Sequence, residues 1–185
     1  MELFKITLLT MTLSPIHAIY QSYLQLSALG FEFQPRSRVQ LLVETTFPTR
    51  LSCAVACNQL PACRAIDYDF SSRRCRLFES DLTTGSVVPS PSASSVVGTM
   101  IVYPSMFAQS HDQPCQACQE SRYEVCDTNT NTCKCRSRTF WSDSICAIQL
   151  FANDTCSQVG ACRSDLNLAC AADCVGQLTK CALGK

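Results

Sequence analysis

The 185-residue chain carries 15 cysteines, equal numbers of acidic and basic residues and two histidines. A formal net charge of zero gives no electrostatic footprint for nucleic acid or for an anionic membrane surface. Apolar residues make up 46% of the chain and charged residues only 16%, a composition that excludes a wholly disordered protein. The cysteine content is instead typical of a secreted scaffold held together by disulfides.

The first eighteen residues have the layout of a secretory signal peptide. Lys5 supplies the positive charge, residues 6–13 are apolar, and Ala18 is a small residue suited to cleavage. The apolar run is too short to span a bilayer, and no later run reaches that length. We therefore expect residues 1–18 to be removed and the mature chain to be secreted, without a membrane span.

A strand and a helix are the first elements predicted beyond residue 30. Residues 39–43 are rich in the residue types that favour strands. Thr49 can serve as an N-cap, which predicts that a helix follows it and ends at Pro61.

The segment 64–70 alternates between apolar and polar residues, which predicts a strand with one buried face. Asp67 and Asp69 share the other face, which is expected to be solvated, with cross-strand ion pairs to Arg64 and Arg76. A second strand, residues 75–78, completes a hairpin.

The next segments are predicted from their polar and β-branched composition. Residues 83–98 are rich in Ser and Pro and are predicted to form an irregular surface loop. Residues 99–103 are predicted to form a last strand. A polar linker, residues 106–114, then separates this module from the cysteine-dense half of the chain, and it contains His111, which is expected to be solvated.

Four cysteines form the first group: Cys53, Cys57, Cys63 and Cys75. Cys53 and Cys57 are four residues apart, so they lie on one face of the predicted helix. Cys63 and Cys75 flank the predicted hairpin, so two bridges would tie the helix to the sheet. The sequence alone allows three pairings of these four residues.

Residues 30–105 resemble the PAN/apple domain. The resemblance is carried by the helical cysteine pair in SCAVAC, by Pro61 and Cys63, by the strand AIDYDF, and by Cys75 placed two residues before Leu77. It implies an α+β fold in which an antiparallel sheet cradles one helix. It also implies the bonds Cys53–Cys75 and Cys57–Cys63, and a binding module for protein or carbohydrate ligands.

Residues 115–181 form the second cysteine-rich region, predicted to be a small irregular disulfide-rich module. Its first six cysteines resemble epidermal-growth-factor-like and EB-type modules, with the spacing Cys115-x2-Cys118-x7-Cys126-x6-Cys133-x-Cys135-x10-Cys146. The seven-residue spacing recurs between Cys162 and Cys170, with Cys156 ahead of it, as a degenerate second repeat. The pairing within this region stays open.

An odd number of cysteines leaves one thiol without a partner in the monomer. Because the regular spacing fails in the second repeat, the leftover is expected among Cys170, Cys174 and Cys181, with Cys181 favoured for its place near the end of the chain. Such a thiol predicts a disulfide-linked dimer or a capped thiol. The alternative is that the chain is a fragment of a longer modular protein.

The remaining site candidates are few. Asn153 begins the glycosylation acceptor Asn-Asp-Thr. His111 has no predicted pocket around it, so no catalytic residue is expected. Cys115, Cys118, Cys133 and Cys135 have spacings that zinc ligands also use, but an oxidising compartment favours disulfides, so neither a metal nor another cofactor is expected.

Extracellular recognition or adhesion, through residues 30–105, is the function these patterns favour. The expected partner is an extracellular protein or glycan. The alternative is a secreted protease inhibitor or toxin-like effector, which needs a rigid exposed loop between bridges, and residues 136–144 are the candidate for that loop.

Overall fold

The computed structural model describes residues 23–101, 103–107, 109–118, 121–172 and 178–184. The expected signal peptide, residues 1–18, lies outside the described residues. The predicted fold class is confirmed: an antiparallel sheet and a helix form an α+β module, and a disulfide-rich region follows it.

The first module is built on a five-stranded sheet and a helix. Its elements are β1 (Tyr23–Leu26), β2 (Phe31–Pro35), β3 (Leu41–Thr46), α1 (Arg50–Gln59), β4 (Ala65–Asp69), β5 (Arg74–Phe78), β6 (Gly85–Pro89) and β7 (Ser95–Ile101). The sheet has the order β1-β7-β4-β5-β3, with neighbouring strands antiparallel. Strands β2 and β6 form a separate antiparallel pair.

Helix α1 begins and ends where its sequence signals indicate. Thr49 is the N-cap, and its hydroxyl accepts a hydrogen bond of 3.0 Å from the Ser52 backbone N–H. At the other end Leu60 is extended, as a residue before a proline favours. The helix buries Cys53 and Cys57 against the sheet, beside Ile66, Tyr68, Leu77, Val96 and Met100.

The opposite face of the sheet is also covered, which the sequence did not predict. Residues 83–98 are not an irregular loop: they contain β6 and the start of β7. Because β6 pairs with β2, it brings Val87 and Phe33 over the sheet, where they pack on Phe78 and Val97. Their Ser- and Pro-rich neighbours masked these apolar residues in the sequence.

This second layer overturns the prediction of a solvated face on β4. All five residues of the strand are buried, including Asp67 and Asp69. Of the expected ion pairs, Asp67 does pair with Arg76 on β5, whereas Arg64 pairs with Asp81.

The predicted strand 39–43 is displaced along the chain. Residues 38–40 form a 3₁₀ turn, and β3 extends from Leu41 to Thr46.

In the described part of the second module the strands form three short hairpins. Its strands are β8 (Glu124–Asp127), β9 (Thr132–Cys135), β10 (Thr139–Ser142), β11 (Ile145–Ile148), β12 (Leu168–Ala172) and β13 (Leu178–Leu183). They pair in sequence order as β8–β9, β10–β11 and β12–β13.

The two cysteine repeats share one disulfide arrangement. In the first, Cys126 and Cys133 lie opposite each other on β8 and β9, and they bond to Cys115 and Cys118 respectively. In the second, Cys170 and Cys181 lie opposite each other on β12 and β13, and they bond to Cys156 and Cys162. Only the first repeat has a further bond, Cys135–Cys146, among the described residues.

Part of the predicted polar linker packs onto the second module through Phe107. Phe107 is 1% exposed and contacts Tyr123 and Trp141. Ser110 is also buried. An aromatic anchor within a polar segment explains why composition indicated a linker where the chain forms part of a core.

Candidate functional site

Two disulfides hold the first module in the arrangement that the PAN/apple resemblance implies. Cys53 bonds to Cys75 with Cα atoms 5.8 Å apart, and Cys57 bonds to Cys63 with Cα atoms 5.3 Å apart. The first bond joins α1 to β5, and the second closes the end of the helix onto the start of β4. A bond of this kind stabilises a small domain by about 2–4 kcal/mol.

A group of charged side chains, the Asp67 cluster, joins β2 to β4 and β5. It consists of Glu32, Asp67, Arg74 and Arg76. Asp67 Oδ2 accepts hydrogen bonds from the Arg76 guanidinium and from the Phe33 backbone N–H, the latter at 2.9 Å. Glu32 lies 3.4 Å from Arg76 and 3.8 Å from Arg74.

The Asp67 cluster has a buried base and an accessible rim. Asp67 is fully buried, and among the described residues its Oδ1 has no hydrogen-bond partner. Arg74 is 37% exposed and Glu32 28%. The cluster therefore presents a guanidinium and a carboxylate to solvent above a buried acid, a combination that can bind polar or charged groups.

Asp69, at the end of β4, is bound by four serine side chains. The hydroxyls of Ser71, Ser72, Ser92 and Ser94 all donate to its carboxylate. Burial acts to raise the pKa of Asp69, but these hydrogen bonds outweigh it and hold the pKa well below its usual range. The carboxylate thereby joins the turn after β4 to the segment before β7.

Arginines from both modules cross the junction between them. Arg122, which is 3% exposed, donates to the carbonyls of Cys57, Leu60 and Cys63 at 2.6, 3.1 and 2.7 Å. Arg64 donates to the carbonyl of Cys146 at 2.6 Å. These contacts give the buried backbone acceptors a charged donor, and the carbonyls of Cys57 and Leu60 also accept the backbone N–H groups of Leu60 and Cys63.

A buried carboxylate, Glu79, completes the junction from the first module. Arg138 lies 2.9 Å from it, and Arg163 also donates to it. The hydrogen bond with Asp165 raises the pKa of Arg163, and Glu79 adds to this against the opposing effect of burial. The pairing leaves neither Glu79 nor Arg163 as an isolated buried charge.

Beside these contacts lies a cleft between the modules, here called the junction cleft. Its volume is about 460 Å³. Its lining includes apolar residues of both modules and the side chains Arg64, Glu79, Arg136 and Arg138. The cleft has no signature in the sequence, because isolated arginines between cysteines carry no periodic signal.

His111 is not the solvated residue that the sequence indicated. Its ring stacks on Trp141 with centroids 3.6 Å apart, and its Nδ1 lies 3.0 Å from Glu124 Oε1. The Ser110 hydroxyl donates to the other oxygen of Glu124. Both side chains thus bind one carboxylate, so the hydroxyl is not directed at the imidazole as a nucleophile would be.

Sulfur atoms come together at two places where a metal could be considered. The groups are His111 with Cys135 and Cys146, and Cys156 with Cys162 and Cys181. All these cysteines are in disulfides, as are the four with zinc-like spacing. An oxidised sulfur is not the thiolate that zinc requires, so the chemistry of these groups does not fit a zinc site.

The expectation that Cys181 is unpaired is wrong in the structure. Cys181 bonds to Cys162, and Cys170 bonds to Cys156. Seven disulfides use fourteen of the fifteen cysteines and leave Cys174. Cys174 itself lies outside the described residues.

Two further sequence candidates have clear positions. Asn153 is exposed in a turn, where its backbone has φ 70°. Residues 136–144 are not a protruding loop, because they contain β10, which pairs with β11, and Arg138, which pairs with Glu79. That geometry does not favour the protease-inhibitor alternative.

Comparison with known protein families gives a match within the first module. Residues 35–103 match the sequence model of the family described as PAN domain. PAN domains are generally protein- or carbohydrate-binding modules of extracellular proteins, and they are not typically catalytic. No curated protein matches the chain. In the part of the chain that the structure describes, no helix has the length and apolar character needed to cross a membrane.

Proposed function

We propose, from the PAN domain at residues 35–103, that the chain is a secreted recognition protein whose PAN domain binds an extracellular protein or carbohydrate. The observation that carries this proposal is the Asp67 cluster. It places charged groups at the surface of a rigid sheet, within a domain of a binding family.

The Asp67 cluster has the properties of a preformed polar site. Asp67, Arg74 and Arg76 lie on the paired strands β4 and β5, and Glu32 lies on β2, so the backbones are fixed before a ligand arrives. Asp67 is buried with one oxygen lacking a partner among the described residues, an arrangement that costs free energy. Buried Asp67 instead holds the Arg76 guanidinium in place, while Arg74 would bind an acceptor at the rim.

Secretion is proposed from two features. Residues 1–18 have signal-peptide character, and seven disulfides require an oxidising compartment.

We further propose that residues 115–146 form an epidermal-growth-factor-like or EB-type module. Their first-to-third, second-to-fourth and fifth-to-sixth disulfides on two short hairpins support this. Glycosylation at Asn153 is proposed from its exposed acceptor sequence.

The proposal is tested with full-length secreted protein on a glycan array and in affinity capture of extracellular proteins. Arg74→Gln should weaken binding of the ligand so found at least tenfold, because it removes the cation at the rim. Arg73→Gln is the matched control: the same change at the next residue, in an exposed turn outside the cluster. Equal binding by both variants, or no ligand in either screen, would contradict the proposal.

A further inference from the structure

We propose that the junction cleft binds a small organic anion in which a carboxylate is joined to an apolar body. This site is separate from the Asp67 cluster, and the proposal does not depend on the recognition function above. It follows from the size, the rigidity and the charge of the cleft.

The size and lining of the cleft suit a small amphipathic molecule. A volume of about 460 Å³ lies within the range of ligand pockets, which is roughly 300–1,000 Å³. The apolar part of its wall comes from Leu60 and Pro61 of the first module, and from Val125 and Ile148 of the second. When the hydrocarbon of a ligand packs against these residues, apolar surface of both the ligand and the cleft is removed from water, which favours binding.

A disulfide restrains the backbone of each wall of the cleft. Residues 60–62 lie inside the short loop that the Cys57–Cys63 bond closes. Residues 136–139 lie inside the loop that the Cys135–Cys146 bond closes. Because the disulfides restrain each wall, and the contacts of Arg64 with Cys146 and of Arg138 with Glu79 join the two walls, a ligand pays little ordering cost on binding.

The charges that line the cleft favour an anion. Three arginines face a single carboxylate, Glu79. Arg138 is held by Glu79 at 2.9 Å, and Arg64 is held by the Cys146 carbonyl and by Asp81. The cleft therefore carries more positive than negative charge at its surface.

Arg136 is the cation available to a ligand. Its Nε donates to the Arg122 carbonyl at 2.9 Å, which fixes the orientation of the guanidinium. Among the described residues its two terminal nitrogens have no hydrogen-bond partner, and the side chain is only half-buried. A planar guanidinium fixed at one nitrogen and open at its end binds a carboxylate well, and can do so through two parallel bonds.

The test uses decanoate as the probe and full-length secreted protein, with isothermal titration calorimetry. Decanoate should bind at one saturable site. Decanol and decylammonium have the same chain without the negative charge, and they should bind at least tenfold more weakly. Equal binding of decanol and decanoate would overturn the proposal, as would the absence of saturable decanoate binding.

Variants locate the site. Arg136→Gln should weaken decanoate binding at least tenfold and leave decanol unchanged, while Arg50→Gln, the same change at an exposed residue remote from the cleft, should behave as the wild type. Ala62→Trp places a large ring on an exposed position of the cleft wall and should weaken both probes. Unchanged decanoate binding in either Arg136→Gln or Ala62→Trp, with native thermal unfolding, would place binding elsewhere and refute the assignment.

Discussion

Asp69 shows how a buried acid is kept ionised by neutral hydrogen-bond donors. No cation pairs with it in the described structure; its partners are serine hydroxyls and the backbone N–H groups of Ser71 and Ser72. Because these hydrogen bonds lower the pKa of the folded state below that of the unfolded chain, ionised Asp69 stabilises the fold. The contribution is complete above the unfolded pKa, about 3.9, and declines as the pH falls toward the folded value.

We predict that Asp69→Asn lowers the free energy of unfolding by about 1.5–3 kcal/mol at pH 7, the range for hydrogen bonds to a charged group. The difference from the wild type should shrink as the pH is lowered from 5 toward 2. Urea unfolding with intact disulfides, repeated across this range, measures both effects. Asp143→Asn, at an exposed hairpin tip, should leave stability unchanged, and a difference for Asp69→Asn that does not vary with pH would refute the account.

For single residues, the sequence predicted which face of a strand they occupy but not what surrounds them in the fold. The alternation of residues 64–70 placed Asp67 and Asp69 on one face of a strand, which is correct. It could not show that β2 and β6 cover that face, because the covering residues come from distant segments. His111 was misjudged for the same reason: Glu124 and Trp141 reach it only through the fold.

Helix α1 depends on a side chain from the other module. The last carbonyls of a helix lack partners within it, and they carry the negative end of its dipole. Arg122 donates to this end of the helix and to the turn after it. Its guanidinium is therefore both a C-terminal cap for α1 and a contact that docks the second module.

We predict that Arg122→Gln lowers the free energy of unfolding by about 3 kcal/mol or more, because the Cys63 carbonyl loses its charged donor and the carbonyls of Cys57 and Leu60 keep only their backbone donors. Guanidinium chloride unfolding of the oxidised protein measures this, and limited proteolysis should show faster cleavage near residues 104–114. Arg50→Gln removes an exposed arginine from the start of the same helix and serves as the control. A loss below about 1 kcal/mol would mean that Arg122 does not cap the helix.

Elements with local signals were predictable, and elements defined by pairing were not. Thr49 and Pro61 bounded α1 correctly, since capping and the constraints of proline act within a few residues. Strand β6 has no such signal: Val87 and Val88 stand among serines and prolines, and only pairing with β2 makes them a strand.

The whole molecule is more continuous than its cysteine distribution indicates. Arg64, Arg122 and Arg163 find junction partners between 59 and 84 residues away along the chain. Sequence patterns separated two modules but contained nothing that showed them docked, because the partners are mainly backbone carbonyls. The junction cleft, a product of that docking, was unpredictable for the same reason.

The pairing of the whole cysteine set leads to the last prediction. With fourteen cysteines in seven bonds, Cys174 has no cysteine left to bond within the monomer. A thiol in an oxidising compartment is expected to bond to another molecule or to be capped.

We propose that secreted protein is a disulfide-linked dimer through Cys174, or carries a small-thiol cap there. Non-reducing gels and intact mass should show the dimer or the added mass, and Cys174→Ser should abolish either while the seven native bonds persist in peptide maps. Cys181→Ser should instead break the Cys162 bond and leave an additional thiol. A dimer that survives Cys174→Ser, or wild-type monomer with a free and unmodified Cys174, would show that the fifteenth cysteine has no role in covalent assembly.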